Sequence, residues 1–228
     1  MRFPLVIVNF KTYPESTGEN AVRLAEIIAD VSRESGVSSA VAPQAPDIRE
    51  IARRVNIPVL AQHVDPIKPG RNTGFLSPEC VRAAGATGTL VNHSEHKLPL
   101  QQVGAIINRA REVGLVTVAC TADTAESRDV ARLSPDIIAV EPPELIGTGI
   151  PVSKARPEVV TESVRAVKEI NANIRVLCGA GITKGEDVTR AMELGAEGVL
   201  IASGVVCAKD QRTAFRDIVD GVLAFRRP

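Results

Sequence analysis

Eight short apolar runs, separated by helical patterns, constrain this 228-residue chain more than any other feature. They are LVIVN (5–9), SSAVAP (38–43), PVLAQ (58–62), TLVNH (89–93), VTVAC (116–120), IIAVE (137–141), RVLCG (175–179) and GVLIAS (198–203). Val, Ile and Leu dominate them, and polar residues do not alternate with apolar ones. Strands of this composition are covered on both faces, as in parallel sheets flanked by helices. Amphipathic stretches lie between the runs. Val103, Ile106, Ile107, Ala110 and Val113 share one helical face. So do Val160, Val164, Val167 and either Ala166 or Ile170, and near the end Phe215, Ile218, Val219 and Val222. Gly36, Gly114 and Gly195 follow such stretches, where a helix ends in a left-handed residue. Ser77-Pro78 and Arg156-Pro157 read as helix starts. Strand–helix repeats without a composition break predict α/β architecture: one closed (β/α)8 barrel, with residues 1–228 as a single domain. An open doubly wound sheet is the alternative, but "GAG" at 179–181 is not the GxGxxG of a dinucleotide site.

Bulk composition excludes several function classes. Lys plus Arg equals Asp plus Glu at 27 each, with 44% apolar and 24% charged residues. That balance predicts a soluble globular protein and gives no electrostatic reason to expect nucleic acid or a membrane as partner. With 3% aromatic residues and no Trp, a base-stacking platform is not expected. No run approaches the ~18 apolar residues of a membrane span. Leu5 to Val8 is too short for the core of a signal peptide, so a cytoplasmic location is expected. The four cysteines (Cys80, Cys120, Cys178, Cys207) are widely spaced and form no CxxC. They read as reduced thiols rather than a disulfide framework or zinc site, and Cys120 and Cys178, ending apolar runs, as buried ones.

In such a barrel the chemistry sits at the carboxyl ends of the strands. Those ends carry Asn9 and Lys11, Gln62 and His63, Asn92 and His93, Cys120, Glu141, Gly179 to Gly181, and Ala202-Ser203. An amine, an imidazole and a carboxylate on one rim form a proton-transfer set. Taken alone, Lys11 reads as a solvated loop residue and His93 as a ring satisfied by backbone. Glu141 resists such a reading, because a carboxylate ending a four-residue apolar run costs free energy unless paired or used. "CGAGIT" (178–183) and "IASGVV" (201–206) offer bare backbone N–H groups that can hold a dianion. Tight-turn geometry alone would explain either.

The motifs at these ends resemble triosephosphate isomerase, and especially its short archaeal branch. "NFK" (9–11) is similar to the family's N-x-K after strand one, and "AQHVDPIKPGRNTG" (61–74) to its A-Q-N…T-G third loop. "NHSEHK" (92–97) resembles G-H-S-E-R-R, and "VEPPELIGTG" (140–149) resembles Y-E-P-x-W-A-I-G-T-G. "CGAGI" and "GVLIASG" look like the archaeal phosphate loops.

The resemblance implies reversible interconversion of dihydroxyacetone phosphate and D-glyceraldehyde 3-phosphate, in glycolysis and gluconeogenesis, with no cofactor and no metal. It makes Glu141 the base that moves a proton between two carbons, and His93 the neutral electrophile, with a helix start near Ser94-Glu95 favouring neutrality. Lys11 and Asn9 stabilise the enediolate. Asn9, Phe10, Lys11, Ile146, Gly181, Ala202 and Ser203 contact substrate, and Ser94 and Glu95 support the site. Pro142-Pro143 and Gly147-Thr148-Gly149 become stiff and permissive hinges of a lid with Leu145-Ile146 at its tip. Thr73-Gly74 lies in an arm that docks on a neighbouring subunit, which implies a homo-oligomer: a homotetramer, with a dimer as alternative.

The chain departs from the family pattern in places. Glu144 replaces a lid tryptophan, His96-Lys97 an arginine pair, Ala180 a glycine or serine, and His63 an asparagine without an assigned role. Three rival readings remain on the residues alone. One is a metal-dependent sugar-phosphate epimerase using His63, Asp65, His93 and Glu141. The others are a Schiff-base aldolase using Lys11 and a non-catalytic phosphometabolite sensor.

Overall fold

The computed structural model describes residues 1–142 and 151–226. Its strands are β1 (Leu5–Asn9), β2 (Ser38–Ala42), β3 (Leu60–Ala61), β4 (Gly88–Val91), β5 (Val116–Thr121), β6 (Ile137–Val140), β7 (Arg175–Cys178) and β8 (Gly198–Ile201). They form one 8-stranded sheet in the order β2-β1-β8-β7-β6-β5-β4-β3. Neighbouring strands in that order pair in parallel. The two ends of that order meet: Val41 of β2 bridges Val59, and the Val41 amide donates to Pro58 O at 3.1 Å. The sheet therefore curls into a barrel, joined between β2 and β3 by this narrow seam. The third run falls furthest short of expectation, with two ladder residues and the Val59 bridge in place of 58–62.

Helices alternate with the strands. The longer ones are α1 (Glu19–Ser35), α2 (Ile48–Arg54), α3 (Pro78–Ala84), α4 (Leu100–Glu112) and α5 (Thr124–Ala131). After β6 come α6 (Val152–Ala155), α7 (Pro157–Ile170), α8 (Gly185–Glu193), α9 (Ser203–Val206) and α10 (Gln211–Arg226). Their starts follow local chemistry. Ser77 Oγ accepts from the Cys80 amide ahead of Pro78, and Asp123 accepts from the Glu126 amide to cap α5. On α7 the buried face runs through Val160, Ala166 and Val167, while Ile170 is exposed, so Ala166 completes the stripe.

Two apolar layers hold the fold. Val6, Val8, Val91, Ile138, Val140 and Val176 face outward and pack under the helices with Ile28, Ile107, Phe215 and Ile218. Leu5, Ile7, Leu60, Leu90, Val118, Ile137, Leu177 and Leu200 fill the barrel interior. Each such buried side chain stabilises the fold by roughly 1.5–3 kcal/mol. In β1 the inward residues are 5 and 7, in β6 they are 137 and 139, and in β7 residue 177. Extended two residues further, that period of two aims Asn9, Glu141 and Gly179 at the mouth of the barrel. The same phase carries Leu60 to Gln62 and Leu200 to Ala202.

Candidate active site

Glu141 follows β6 directly, is 6% exposed, and anchors its backbone by donating its amide to Thr121 O at 2.7 Å. Its side chain lies flat against Gly179. A Cβ added there would stand 2.3 Å from Glu141 Cγ and 2.8 Å from Oε1, so the absence of a side chain at 179 makes room for the carboxylate. Two buried thiols flank it. Burial first, and then the Glu141 charge, push the Cys120 thiol well up, so it stays protonated beside the carboxylate. Burial, then Glu141 and Asp187, push Cys178 up to about 12. Glu141 Oε2 is buried and has no hydrogen-bond partner among the described residues.

His93 faces that oxygen, with Nε2 at 3.8 Å from Glu141 Oε2 and the residue 7% exposed. Its other nitrogen, Nδ1, accepts from the Glu95 amide at 3.2 Å. A ring nitrogen that accepts cannot carry a proton, so the imidazole is neutral with its proton on Nε2, pointing at the cavity. The helix expected after His93 is a single 3-10 turn, Ser94–His96. One oriented amide, not a long helix dipole, therefore fixes the tautomer.

Lys11 sits at φ 48°, an uncommon conformation for a residue with a side chain. Its amide donates to Asn9 Oδ1 at 3.0 Å, and Gln62 Nε2 donates to Lys11 O at 2.8 Å, so both sides of the turn are tied down. The ammonium donates to Glu95 Oε1 at 2.8 Å, with the lysine side chain 12% exposed and the glutamate 56%. Asn9 is nearly buried.

One cavity brings these together. Asn9, Lys11, His93 and Glu141 line one side of it, and Gly179 to Thr183 with Leu200 to Ser203 line the other. Gly181 adopts φ 72° in the turn after β7. The Thr183 and Lys184 amides donate to Asp187 at 3.2 and 3.1 Å, which pins that turn to α8. Ser203 opens α9, whose first amides have no acceptor within their own helix. A Cβ on Gly204 would stand 3.0 Å from Thr183 Cα and 3.2 Å from Ile182 O, so the two turns abut.

Of the sequence-derived site residues, Asn9, Lys11, His93, Glu141, Gly181, Ala202 and Ser203 share this cavity, and Glu95 braces it. Ser94 Oγ is buried beside it without a partner among the described residues. The Phe10 ring is wholly buried in the layer under the helices, because it follows Asn9 on the opposite phase. Pro142 is described and buried, whereas Pro143, Ile146, Gly147, Thr148 and Gly149 lie outside the described residues. His63 turns to Asp65, with Nε2 at 3.3 Å from Oδ1, and stacks on His96 with ring centroids 4.3 Å apart. Burial foremost, and the His96 ring, lower the His63 pKa against the opposing Asp65 hydrogen bond. Among the described residues, no three His, Cys, Asp or Glu side chains are grouped to hold a metal ion.

Gly179, read in the sequence as part of an anion-holding turn, also makes room for Glu141, and Gln62, Asn92 and Glu126 take parts in the site beyond any role read from the sequence. A glycine two residues past an inward-facing strand residue is the signal for that second role of Gly179. Nothing in the sequence connects Glu126 to the rim.

The family model described as triosephosphate isomerase matches residues 4–222. Triosephosphate isomerase of Methanothermus fervidus is 54% identical over 216 residues, covering 95% of this chain and 97% of that protein. The protein of the same name from Methanocaldococcus jannaschii is 56% identical over 215 residues, covering 94% and 98%. No described helix is long and apolar enough to cross a membrane.

Proposed function

Since the chain belongs to the triosephosphate isomerase family and interconverts dihydroxyacetone phosphate and D-glyceraldehyde 3-phosphate, we propose that Glu141, His93 and Lys11 divide that reaction among them. Glu141 removes a proton from the carbon beside the ketone and returns it to the neighbouring carbon. His93 donates its Nε2–H to the carbonyl oxygen as charge builds there and regains a proton from the hydroxyl on the neighbouring carbon, which becomes the new carbonyl. The Lys11 ammonium, held by Glu95 and steadied by Asn9, stabilises the enediolate. Amides at Gly181 and Ser203, beside Ala202, take the phosphate.

The observation that supports this most is the pairing across the cavity: a buried carboxylate oxygen, without a hydrogen-bond partner among the described residues, facing a ring nitrogen that bears the proton. Such an oxygen is costly to bury unless a reacting group meets it. Substituting Gln for Glu141 keeps the shape and removes the base. Glu141→Gln is expected to lower kcat about 10²–10⁴-fold with an unchanged circular dichroism spectrum. It should also lose exchange of substrate C–H protons with deuterated water. Turnover near that of the parent protein would remove Glu141 from the mechanism.

The metal-dependent reading gains no support from a His63 ring turned to Asp65 and His96. Full activity after exhaustive chelation is the expected result. The aldolase reading needs an amine free to attack a carbonyl, and Lys11 Nζ is engaged with Glu95 Oε1 at 2.8 Å. Borohydride should trap no substrate adduct.

The same proposal takes residues 1–228 as one domain in the cytoplasm, with 142–149 as a lid that shuts water from the enediolate. It also takes the chain as a homotetramer, with a dimer as the alternative, joined through the loop after β3. That loop is tied back where Asp65 pairs with Leu76 (Asp65 N to Leu76 O, 2.8 Å) and presents Phe75 at 60% exposure. Sedimentation equilibrium measures the assembly.

A further inference from the structure

His93 is in the wrong phase. Along β4 the inward residue is Leu90 and the outward one Val91, so alternation would send Asn92 to the mouth and turn His93 back under the helices. The chain avoids this at Asn92, which takes φ 59°, a left-handed turn that asparagine tolerates better than most residues with a side chain. The turn brings His93 into the cavity, and the Asn92 side chain, freed from the mouth, becomes a clamp.

That side chain is 3% exposed and uses three of its hydrogen-bonding positions. Nδ2 donates to Cys120 O and to Glu126 Oε1, both at 2.9 Å. Oδ1 accepts from the Leu98 amide at 3.0 Å. One amide group thus ties both ends of the 92–98 loop to β5 and α5. Glu126 is the hub on the other side. Its Oε2 accepts from the Ala122 amide at 2.6 Å, and Lys97 Nζ reaches Oε1 and Oε2 at 2.7 and 2.8 Å. Lys97 belongs to the same loop, so the loop carries its own countercharge to the anchor. Between the anchored ends lies the turn in which the Glu95 amide holds His93 Nδ1 as an acceptor.

We propose that Asn92 and Glu126, closed by Lys97, are positioning residues that set both the direction of the His93 ring and its tautomer. The catalytic consequence rests on the reading of His93 as the electrophile. Without the clamp, the 93–96 turn loosens and the Glu95 amide ceases to hold Nδ1. The Nε2–H then no longer points steadily at the carbonyl oxygen. Misplacing a catalytic group by about 1 Å costs up to about 10²-fold in rate.

The test uses the full chain labelled with 15N-histidine. Three histidines are present, and His93→Gln assigns the signals. Asn92→Gly permits the same backbone turn and deletes all three hydrogen bonds. It is expected to lower kcat by about 10–100-fold with little change in KM. The His93 Nδ1 and Nε2 signals should move from distinct acceptor and donor positions toward an average. Asn92→Asp sets a carboxylate against Glu126 and is expected to lose more. Asn92→Asp combined with Glu126→Gln restores the pair at 126 with the direction reversed but leaves an oxygen facing Cys120 O, so recovery of part of that loss is expected.

Unchanged His93 nitrogen signals in Asn92→Gly, with or without a fall in kcat, overturn the clamp. So does a double variant no better than Asn92→Asp alone. Should Asn92→Gly not fold, Lys97→Met carries the same two readouts, with the same decision. The nitrogen signals report the clamp whatever His93 does in turnover. A His93→Gln protein with full activity would instead overturn the assignment of His93 and leave the clamp to its own measurement.

Discussion

The Cβ missing from Gly179 leaves the room in which the Glu141 carboxylate lies. Any side chain there must displace the Glu141 carboxylate, since the clash is with Cγ, Cδ and Oε1 together, at 2.3–2.8 Å. Gly179→Ala is therefore expected to retain the fold and lose about 10-fold or more in kcat, read in a coupled assay beside a thermal melt. Full activity in the alanine variant would mean that the carboxylate has freedom to retreat, contrary to its packing. His93 makes a related point. Its chemistry is set by the backbone amide of Glu95, two residues on, which selects the tautomer by occupying Nδ1. Residue types at the rim are legible in the sequence; the atoms that orient them are not.

At the scale of elements, the two turns after β7 and β8 work as a pair because Gly204 lets them touch. Its Cβ would stand 3.0 Å from Thr183 Cα, tighter than ordinary contact and against backbone that Asp187 holds in place. Gly204→Ala is expected to spread the turns and raise KM for both triose phosphates by about 3–10-fold, the equivalent of one hydrogen bond of roughly 0.5–1.5 kcal/mol. Since the proposed electrophile, His93, and the proposed base, Glu141, follow β4 and β6, kcat should change little. A fall in kcat at constant KM would show that the turns do more than hold the phosphate. The glycine-rich runs were readable as candidate anion sites, each with a plainer turn explanation. Only the contact between them makes one site of two loops.

For the molecule as a whole, the barrel separates chemistry from stability by placing them at opposite ends. At the amino-terminal end, Glu197 joins β7, β8 and α7. It accepts from Lys168 at 2.8 Å, from the Val176 amide at 3.1 Å and from Arg175. Burial opposes its ionisation, yet the Lys168 and Arg175 hydrogen bonds and the Val176 amide outweigh it and hold the carboxyl below its usual range. A carboxylate depressed by folding adds stability above its unfolded value of about 4.3, and loses it as pH falls through the lower folded value. The pair is part-exposed, so solvent screens it. Glu197→Gln is expected to lower Tm at neutral pH by roughly 2–4 °C. The difference should close below pH ~4, and kcat should be untouched. A Tm gap that persists in acid would point to packing, not charge.

The sequence by itself determined the number and order of strands, the apolar faces of α4, α7 and α10, and the identity of the polar groups at the strand ends. It could do so because burial on both faces leaves unbroken apolar runs, and because a carboxylate after such a run, as at Glu141, has few inexpensive places to be. The same unbroken runs hide strand phase. Val6 and Ile7 look alike on paper, and the packing of helices on one side and eight strands on the other decides which faces the interior. That phase sent Asn9, Glu141 and Gly179 to the mouth and Phe10 to the outer layer. It also required Asn92 to turn left-handed so that His93 could join them. Contacts between residues distant in the chain, such as Asn92 with Glu126, leave no local pattern, because their spacing is set by the closure of the barrel and not by the period of any helix or strand.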